Sequence, residues 1–110
     1  MEEMKPTVFD QTSTDMPTVF ENPRGSPLCN SLPNIYFSVI PFDPQGVHSI
    51  TVLYTRSKSF FVEEPMTADG ATYYGPGESI NNPVTYFFRA VDGLGNVTDS
   101  HIYEFSTGCA

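Results

Sequence analysis

Proline and glycine interrupt this chain so often that no long helix can form in it. Ten prolines and eight glycines are distributed over 110 residues, and no segment keeps a 3.6-residue apolar period over three turns without meeting one of them. A proline inside a helix removes a backbone hydrogen bond and clashes with the preceding turn. The runs between the breaks alternate instead with a period of two, as Ile50, Val52 and Tyr54 do. The sequence therefore predicts an all-β protein.

Short β-forming runs recur at a spacing of roughly 8–12 residues, which is typical of an antiparallel β-sandwich. An edge strand is expected near the N-terminus, and the runs after it cover residues 35–40, 48–56, 60–64, 71–74, 84–92 and 97–106. Asp69-Gly70 marks a tight turn, and the last two runs form a hairpin around a glycine-rich loop. We therefore expect about seven strands in a single domain.

Residues 1–33 differ from the sandwich body that we expect at residues 34–110. They contain five prolines, and because proline cannot donate to a strand ladder, this N-terminal arm can supply only edge strands or linker. The pattern Pro-Thr-Val-Phe-acid occurs twice in the arm, at residues 6–10 and 17–21. Two copies are too few for a repeat protein, so we interpret them as two short edge strands or as linker segments.

The charge balance excludes several kinds of partner. Five basic residues stand against thirteen acidic ones, which gives a net charge of −8. Proteins bind nucleic acids and anionic membrane surfaces through clustered Lys and Arg, so we expect neither partner. No apolar run approaches the ~18 residues of a spanning helix, so no membrane insertion is predicted. The acidic N-terminus lacks the apolar segment of a signal peptide, so the chain is either cytoplasmic or a fragment of a longer exported chain.

The chain has two cysteines, Cys29 and Cys109, which are 80 residues apart. Structural zinc requires four ligands in closely spaced pairs, and the sequence has no such pairs, so no metal site is predicted. The two cysteines are therefore either one disulfide of an exported protein or two unrelated thiols.

No group of residues has the pattern of a catalytic site, and no cofactor is expected. Glu63 and Glu64 are adjacent, so on a strand they face opposite sides and cannot act as a pair. Asp92, Asn96 and Asp99 are candidate calcium ligands, but their spacing does not match a recognised calcium loop. Aspartates in turns more often accept hydrogen bonds from backbone amides. We therefore expect neither a metal nor enzyme activity.

Three segments, residues 46–56, 65–73 and 84–98, resemble parts of the fibronectin type III and immunoglobulin-like modules of exported bacterial and archaeal multidomain proteins. In the third and most specific segment, a strand ending in Arg-Ala-Val-Asp leads through Gly-Leu-Gly-Asn into another strand. The resemblance implies an immunoglobulin-like or fibronectin type III-like β-sandwich without catalytic activity. Such a module is extracellular, periplasmic or on the cell surface. It acts as a spacer, an inter-domain packing unit or a protein-interaction surface, and its partners are neighbouring domains or another protein.

The alternative function is that of a carbohydrate-binding accessory module of a secreted glycan-active enzyme. Exposed Phe61 or Tyr74 would then stack on sugar rings. Platforms of this kind usually include Trp, which this chain lacks. We therefore rank a glycan partner second.

The resemblance also assigns a role to a tyrosine, and the antiparallel strand order bears on the two cysteines. Ile80 and Tyr86 match the corner of these modules at which a tyrosine hydroxyl bonds upstream backbone. In a sandwich of seven antiparallel strands, Cys29 before the second strand and Cys109 after the seventh lie at the same end. This placement favours the disulfide, provided that the Cα atoms come within about 7 Å.

One outward strand face is unusually apolar. If Tyr86 and the residues that alternate with it face the core, the residues between them face outward. Together with one residue of a neighbouring strand they form the predicted interaction patch: Leu53, Phe87, Arg89 and Val91. We expect this patch to be covered by the N-terminal arm or by a neighbouring domain or subunit, or else to bind a ligand.

Overall fold

The computed structural model describes residues 16–29, 32–57 and 60–107, which form nine β-strands and no helix. The strands are β1 (Val19–Pro27), β2 (Ile35–Phe42), β3 (Val47–Ser57), β4 (Phe60–Pro65), β5 (Thr67–Asp69), β6 (Thr72–Gly77), β7 (Val84–Asp92), β8 (Val97–Asp99) and β9 (Tyr103–Phe105). One sheet has the order β1-β2-β6-β5, and the other has the order β4-β3-β7-β8 with β9 also paired to β7. All pairings are antiparallel, and the two sheets share one core. The prediction of an all-β antiparallel sandwich is confirmed.

The strand count exceeds the prediction at two places. The strand expected over residues 97–106 is divided into β8 and β9 by Ser100. The Ser100 hydroxyl accepts a hydrogen bond from the Phe88 amide at 2.9 Å, and the Ser100 amide donates to the Phe88 carbonyl at 2.8 Å. A side chain thus replaces a backbone partner and interrupts the ladder. The second addition is β5, which forms a hairpin with β6 around Gly70, whose φ is +64°.

Side chains that alternate along the central strands form the core. In β7 the residues from Val84 to Asp92 alternate strictly between buried and half-buried, so the period-two prediction for this strand is confirmed. Phe37 lies among three aromatic rings whose centroids are 5.1–6.1 Å from its own: Tyr54, Tyr86 and Phe105. The buried apolar cluster consists of Ile35, Phe37, Val39, Ile50, Val52, Tyr54, Val84, Tyr86, Phe88 and Ala90. Burial of each large side chain stabilises the fold by about 1.5–3 kcal/mol.

The proline-rich arm supplies a nine-residue edge strand, β1, which contains Pro23. Asn22 has a φ of +50°, and the pairing with β2 changes register between Glu21 and Arg24. This bulge takes Pro23 out of the ladder, so its missing N–H costs no strand hydrogen bond. The second copy of the Pro-Thr-Val-Phe-acid pattern leads into β1, and the first copy, residues 6–10, lies outside the described residues.

The described chain enters the sandwich at one end and leaves it at the other. β1 begins beside Phe42, the last residue of β2, and we call this the proximal end. β9 finishes with Phe105 opposite Val84, the first residue of β7. β2 and β7 both begin at the opposite end, which we call the distal end, and run toward the proximal end. Because β9 finishes beside the first residue of β7, the last strand finishes at the distal end.

Two turns and the arm are joined at the proximal end. The Thr18 hydroxyl donates a hydrogen bond to the buried Asp43 carboxylate at 2.6 Å, and the Gln45 amide donates to the same carboxylate at 2.8 Å. The Gly93 amide of the β7–β8 turn donates to the Gly46 carbonyl of the β2–β3 turn at 3.1 Å. A Cβ on Gly93 would lie 2.4 Å from the Gln45 carbonyl oxygen, so the two turns meet only because this residue is glycine.

Ser79 anchors the β6–β7 connection at the distal end. Its hydroxyl is buried, donates to the Thr55 carbonyl at 2.6 Å and accepts from the Asn81 amide at 3.0 Å. The side-chain amide of Asn34 bonds the Ser79 carbonyl at 2.9 Å and the Ser79 amide at 3.1 Å. These bonds connect the two sheets, because Asn34 precedes β2 and Thr55 belongs to β3.

Candidate functional site

The predicted interaction patch lies on the outer face of the five-stranded sheet, the face turned away from the core. Phe87, Arg89 and Val91 are half-buried on this face. Leu53 faces the same way, as its alternation predicts, and the residue itself is only 7% exposed. The Phe61 ring on β4 and the Phe87 ring on β7 meet across β3 with centroids 5.5 Å apart. Leu53 lies opposite Phe87 on the strand between them, so the two rings close over its position.

Arg89 links the polar and apolar parts of the patch. Its guanidinium donates to both carboxylate oxygens of Asp99, at 2.8 and 3.0 Å, and lies 5.7 Å from the centroid of the Phe87 ring. The hydrogen bond to Asp99 is the main cause that raises the pKa of Arg89 above its ordinary value. Asp99 is therefore paired on the outer face and does not join Asp92 and Asn96 in the turn.

The strand that the N-terminal arm supplies does not belong to the sheet that carries the patch. β1 pairs with β2 at the edge of the four-stranded sheet, and residues 1–15 lie outside the described residues. A cavity of about 140 Å³ opens beside Phe87 and is also lined by Asp99, Ser100 and Ile102. Ile102 is 66% exposed, so the apolar surface continues past the patch toward β9.

The two aromatic residues expected to stack on sugars lie on opposite faces of the sandwich. Phe61 is on the outer face of the five-stranded sheet, and Tyr74 is on the outer face of the four-stranded sheet. They therefore cannot form one platform. Tyr74 instead neighbours Tyr36 of β2, with ring centroids 5.9 Å apart, and Pro76 pairs with Tyr36 in register. The sequence interpretation missed Tyr36, although its alternation with two buried residues of β2 indicates an outward position.

Ile80 and Tyr86, the two residues that the resemblance places at the tyrosine corner, lie in different surroundings. Tyr86 is 4% exposed in the core, whereas Ile80 is 85% exposed. Burial is the main cause that raises the pKa of Tyr86 above its ordinary value, and the neighbouring Tyr103 adds to it. The tyrosine hydroxyl that bonds the connection before β7 belongs to Tyr54, which accepts from the Glu78 amide at 3.1 Å.

Asp92 closes the β7–β8 turn from inside. The residue is 3% exposed, and its carboxylate accepts hydrogen bonds from the amides of Leu94 at 2.9 Å and Asn96 at 2.8 Å. Burial raises the pKa of this carboxyl, but the hydrogen bonds together outweigh burial and hold the pKa below its ordinary value. The carboxylate is thus used by the turn itself, and no three His, Cys, Asp or Glu side chains in the described ranges are grouped to hold a metal ion.

Two adjoining cavities at the distal end, of about 330 and 210 Å³, share Arg56 and Glu78. These side chains form an ion pair at 3.7 Å and are each more than half exposed, so water and salt screen the pair. Ser79 lines the smaller cavity, but its hydroxyl donates to a backbone carbonyl. The hydroxyl hydrogen is therefore directed at the backbone and not at a base of the kind that activates a serine nucleophile.

The predicted disulfide involves a residue that the structure leaves out. Cys29 precedes β2 at the distal end, where β9 also finishes. Cys109 lies outside the described residues, so the Cys29–Cys109 disulfide stays a prediction.

Comparison with protein-family models, with curated proteins and with solved structures finds no significant match to this chain. Within residues 16–29, 32–57 and 60–107, no helix has the length and apolar character needed to cross a membrane.

Proposed function

We propose that this chain is a non-catalytic module of the immunoglobulin-like or fibronectin type III-like kind, acting as a spacer in a longer exported or cell-surface protein. The observation that carries this proposal is the position of the first and last described strands, since β1 begins at the proximal end and β9 finishes at the distal end. β7 connects these ends with nine residues, a length of about 30 Å at ~3.3 Å per residue. Neighbouring domains would be held at least that far apart.

The strand order supports the immunoglobulin-like type. With strands lettered in chain order, β1 to β7 become A, B, C, C′, D, E and F, and β8 with β9 becomes G. The sheets then read A-B-E-D and C′-C-F-G, the arrangement of immunoglobulin-like sandwiches. Because one fold hosts many functions, the proposed spacer function rests on the positions of the first and last described strands and not on the fold alone.

A spacer must also resist bending, and both ends of this sandwich carry buried hydrogen bonds between separate segments. At the proximal end the arm is joined to the β2–β3 turn through Thr18 and Asp43. At the distal end Ser79 and Asn34 connect the two sheets. A buried polar group that loses its partner costs about 1–3 kcal/mol, so each connection opposes opening of its end.

Single-molecule energy transfer tests the spacer function. Residues 16–107 are placed between a donor and an acceptor fluorescent protein, and a glycine-serine linker of equal length serves as the control. We expect one narrow distribution of transfer efficiency for the module and a broad one for the linker. A native module as broad as the linker would contradict the proposal.

The proposed exported location is tested separately through the cysteines. A thiol assay on protein isolated without reductant is expected to find no reactive thiol, because the Cys29–Cys109 pair would be oxidised in an exporting compartment. Two reactive thiols would remove this support for export.

The Tyr36–Tyr74 pair favours binding of carbohydrate as a second candidate function. The two rings lie side by side on the outer face of the four-stranded sheet, and tyrosine rings stack on the apolar faces of sugars while their hydroxyls bond water or ligand. A glycan array is the measurement, with Tyr36→Ala as the test variant and Phe61→Ala as a control on the opposite face. Absence of binding by the unaltered chain, or equal loss in both variants, would remove this candidate.

A further inference from the structure

β4 is an edge strand of the five-stranded sheet, with only β3 as its neighbour among the described strands. About half of the backbone N–H and C=O groups of an edge strand point away from the sheet and can pair with another strand. The other described edges are less suitable for pairing. β1 contains a bulge and an internal proline, and β5, β8 and β9 have three residues each.

The side chains of β4 divide the strand into an aromatic half and an acidic half. Phe60 and Phe61 are 71% and 43% exposed, and Glu63 and Glu64 follow after Val62. Because neighbouring residues of a strand point to opposite faces, each face of the edge carries one aromatic ring and one carboxylate. A partner strand thus meets the same chemistry on both of its faces.

The two carboxylates are not engaged in ion pairs by the described residues. Neither Glu63 nor Glu64 forms an ion pair with any residue in the part of the chain that the structure describes. Arg89 interacts electrostatically with Glu63, but its guanidinium is hydrogen-bonded to both oxygens of Asp99. Arg56, which lines a cavity together with Glu64, is paired with Glu78. A basic side chain placed opposite either glutamate would therefore meet a carboxylate that forms no ion pair with the described residues.

We propose that the β4 edge binds an extended segment of another protein by antiparallel strand addition. The segment carries two adjacent basic residues, one spacer residue and then two apolar residues. In this direction the basic pair lies opposite Glu64 and Glu63, and the apolar pair lies opposite Phe61 and Phe60. Opposite charges and apolar pairs across strands each stabilise pairing by about 0.2–1 kcal/mol. The backbone hydrogen bonds supply the part of the affinity that does not depend on the partner's side chains.

A second copy of this chain fits the edge poorly. Antiparallel pairing of two β4 strands around Val62 would place Glu63 opposite Phe61 and Glu64 opposite Phe60. Each carboxylate would then lose water without gaining a cation, and two chains of net charge −8 would repel one another. Charge complementarity therefore selects a basic partner. This inference does not rest on the spacer function, because it concerns a sheet edge and not the two ends of the sandwich.

The test uses the full chain labelled with ¹⁵N and a capped peptide of sequence Thr-Lys-Lys-Val-Val-Tyr-Thr. We expect saturable shifts of the β4 and β3 amides, and a loss of affinity of at least about tenfold in the double variant Glu63→Lys/Glu64→Lys. The peptide with Glu in place of both Lys is expected to bind this double variant and not the unaltered chain. That exchange of preference shows that the variant is folded.

Two controls separate strand addition from simple charge attraction. Glu104→Lys makes the same charge change on β9, on the far side of the same sheet, and is expected to leave peptide binding unchanged. The peptide with N-methylated valines keeps its charges but cannot donate the backbone hydrogen bonds, and should bind at least about tenfold more weakly. Absence of saturation up to about 1 mM, equal weakening by Glu104→Lys, or full binding of the methylated peptide would each overturn the proposal.

Discussion

Removing the hydroxyl of Tyr54 tests the hydrogen bonds of the distal end directly. Tyr54→Phe removes one oxygen and keeps the ring that lies 5.2 Å from Phe37, so packing of the core is preserved. The Glu78 amide then loses the acceptor that it contacts at 3.1 Å. Loss of one such bond costs about 1 kcal/mol. For a domain of this size, a cost of about 1 kcal/mol corresponds to a fall in Tm of about 4–8 °C.

Tyr86→Phe is the matched control, because it removes the same group from another core tyrosine. The corner predicted from the sequence would make Tyr86 the more important of the two hydroxyls, whereas the structure gives the bond to Tyr54. We expect Tyr86→Phe to change the free energy of unfolding by less than about 0.5 kcal/mol, measured by urea denaturation beside Tyr54→Phe. A larger loss for Tyr86→Phe than for Tyr54→Phe would refute the assignment of the bond and restore the corner.

Three further predictions concern the proximal end. The pKa of the Asp92 carboxyl is lower in the folded state than in the unfolded state. The ionised carboxylate therefore stabilises the fold above the unfolded-state pKa of about 3.9, and this stabilisation is lost as the pH falls through the lower folded-state pKa. Asp92→Asn should reduce the dependence of Tm on pH in this acid range. Gly93→Ala places a Cβ 2.4 Å from the Gln45 carbonyl oxygen and should destabilise by about 1–3 kcal/mol in urea denaturation, whereas Leu94→Ala, at a position 71% exposed, should have little effect. Thr18→Val leaves an oxygen of a buried carboxylate without its donor and should cost about 1–3 kcal/mol; limited proteolysis should then cut the arm faster than in the unaltered chain.

Local pattern predicted much of the fold because the forces that decide it act over a few residues. The alternation through Tyr86 and Phe88 required one buried face on β7, and the structure buries that face. Proline in the arm required an edge position, and β1 lies at an edge. The bulge at Asn22 could not be predicted, because it depends on the pairing of β1 with β2 and not on the strand alone.

Features that depend on contacts between strands were the ones missed. Leu53 has the outward position that its alternation predicts, but the rings of Phe61 and Phe87 come from the two flanking strands and cover it. Phe61 and Tyr74 are similar as single residues, yet the order of the strands places them on opposite faces. Strand order is set by the whole fold, so single-strand patterns carry no information on which surface residues become neighbours.

The central claim is that a rigid sandwich holds its proximal and distal ends about 30 Å apart, and a distance between those ends tests it most directly. Spin labels carried on unnatural amino acids at Leu94 and Ile80, which are 71% and 85% exposed, avoid the two cysteines. Leu94 lies in the turn after β7 and Ile80 in the connection before it, so the length of that strand predicts one narrow distribution centred near 30 Å, at ~3.3 Å per residue. A centre below about 20 Å, or a distribution as broad as that of the unfolded chain in urea, would contradict the account.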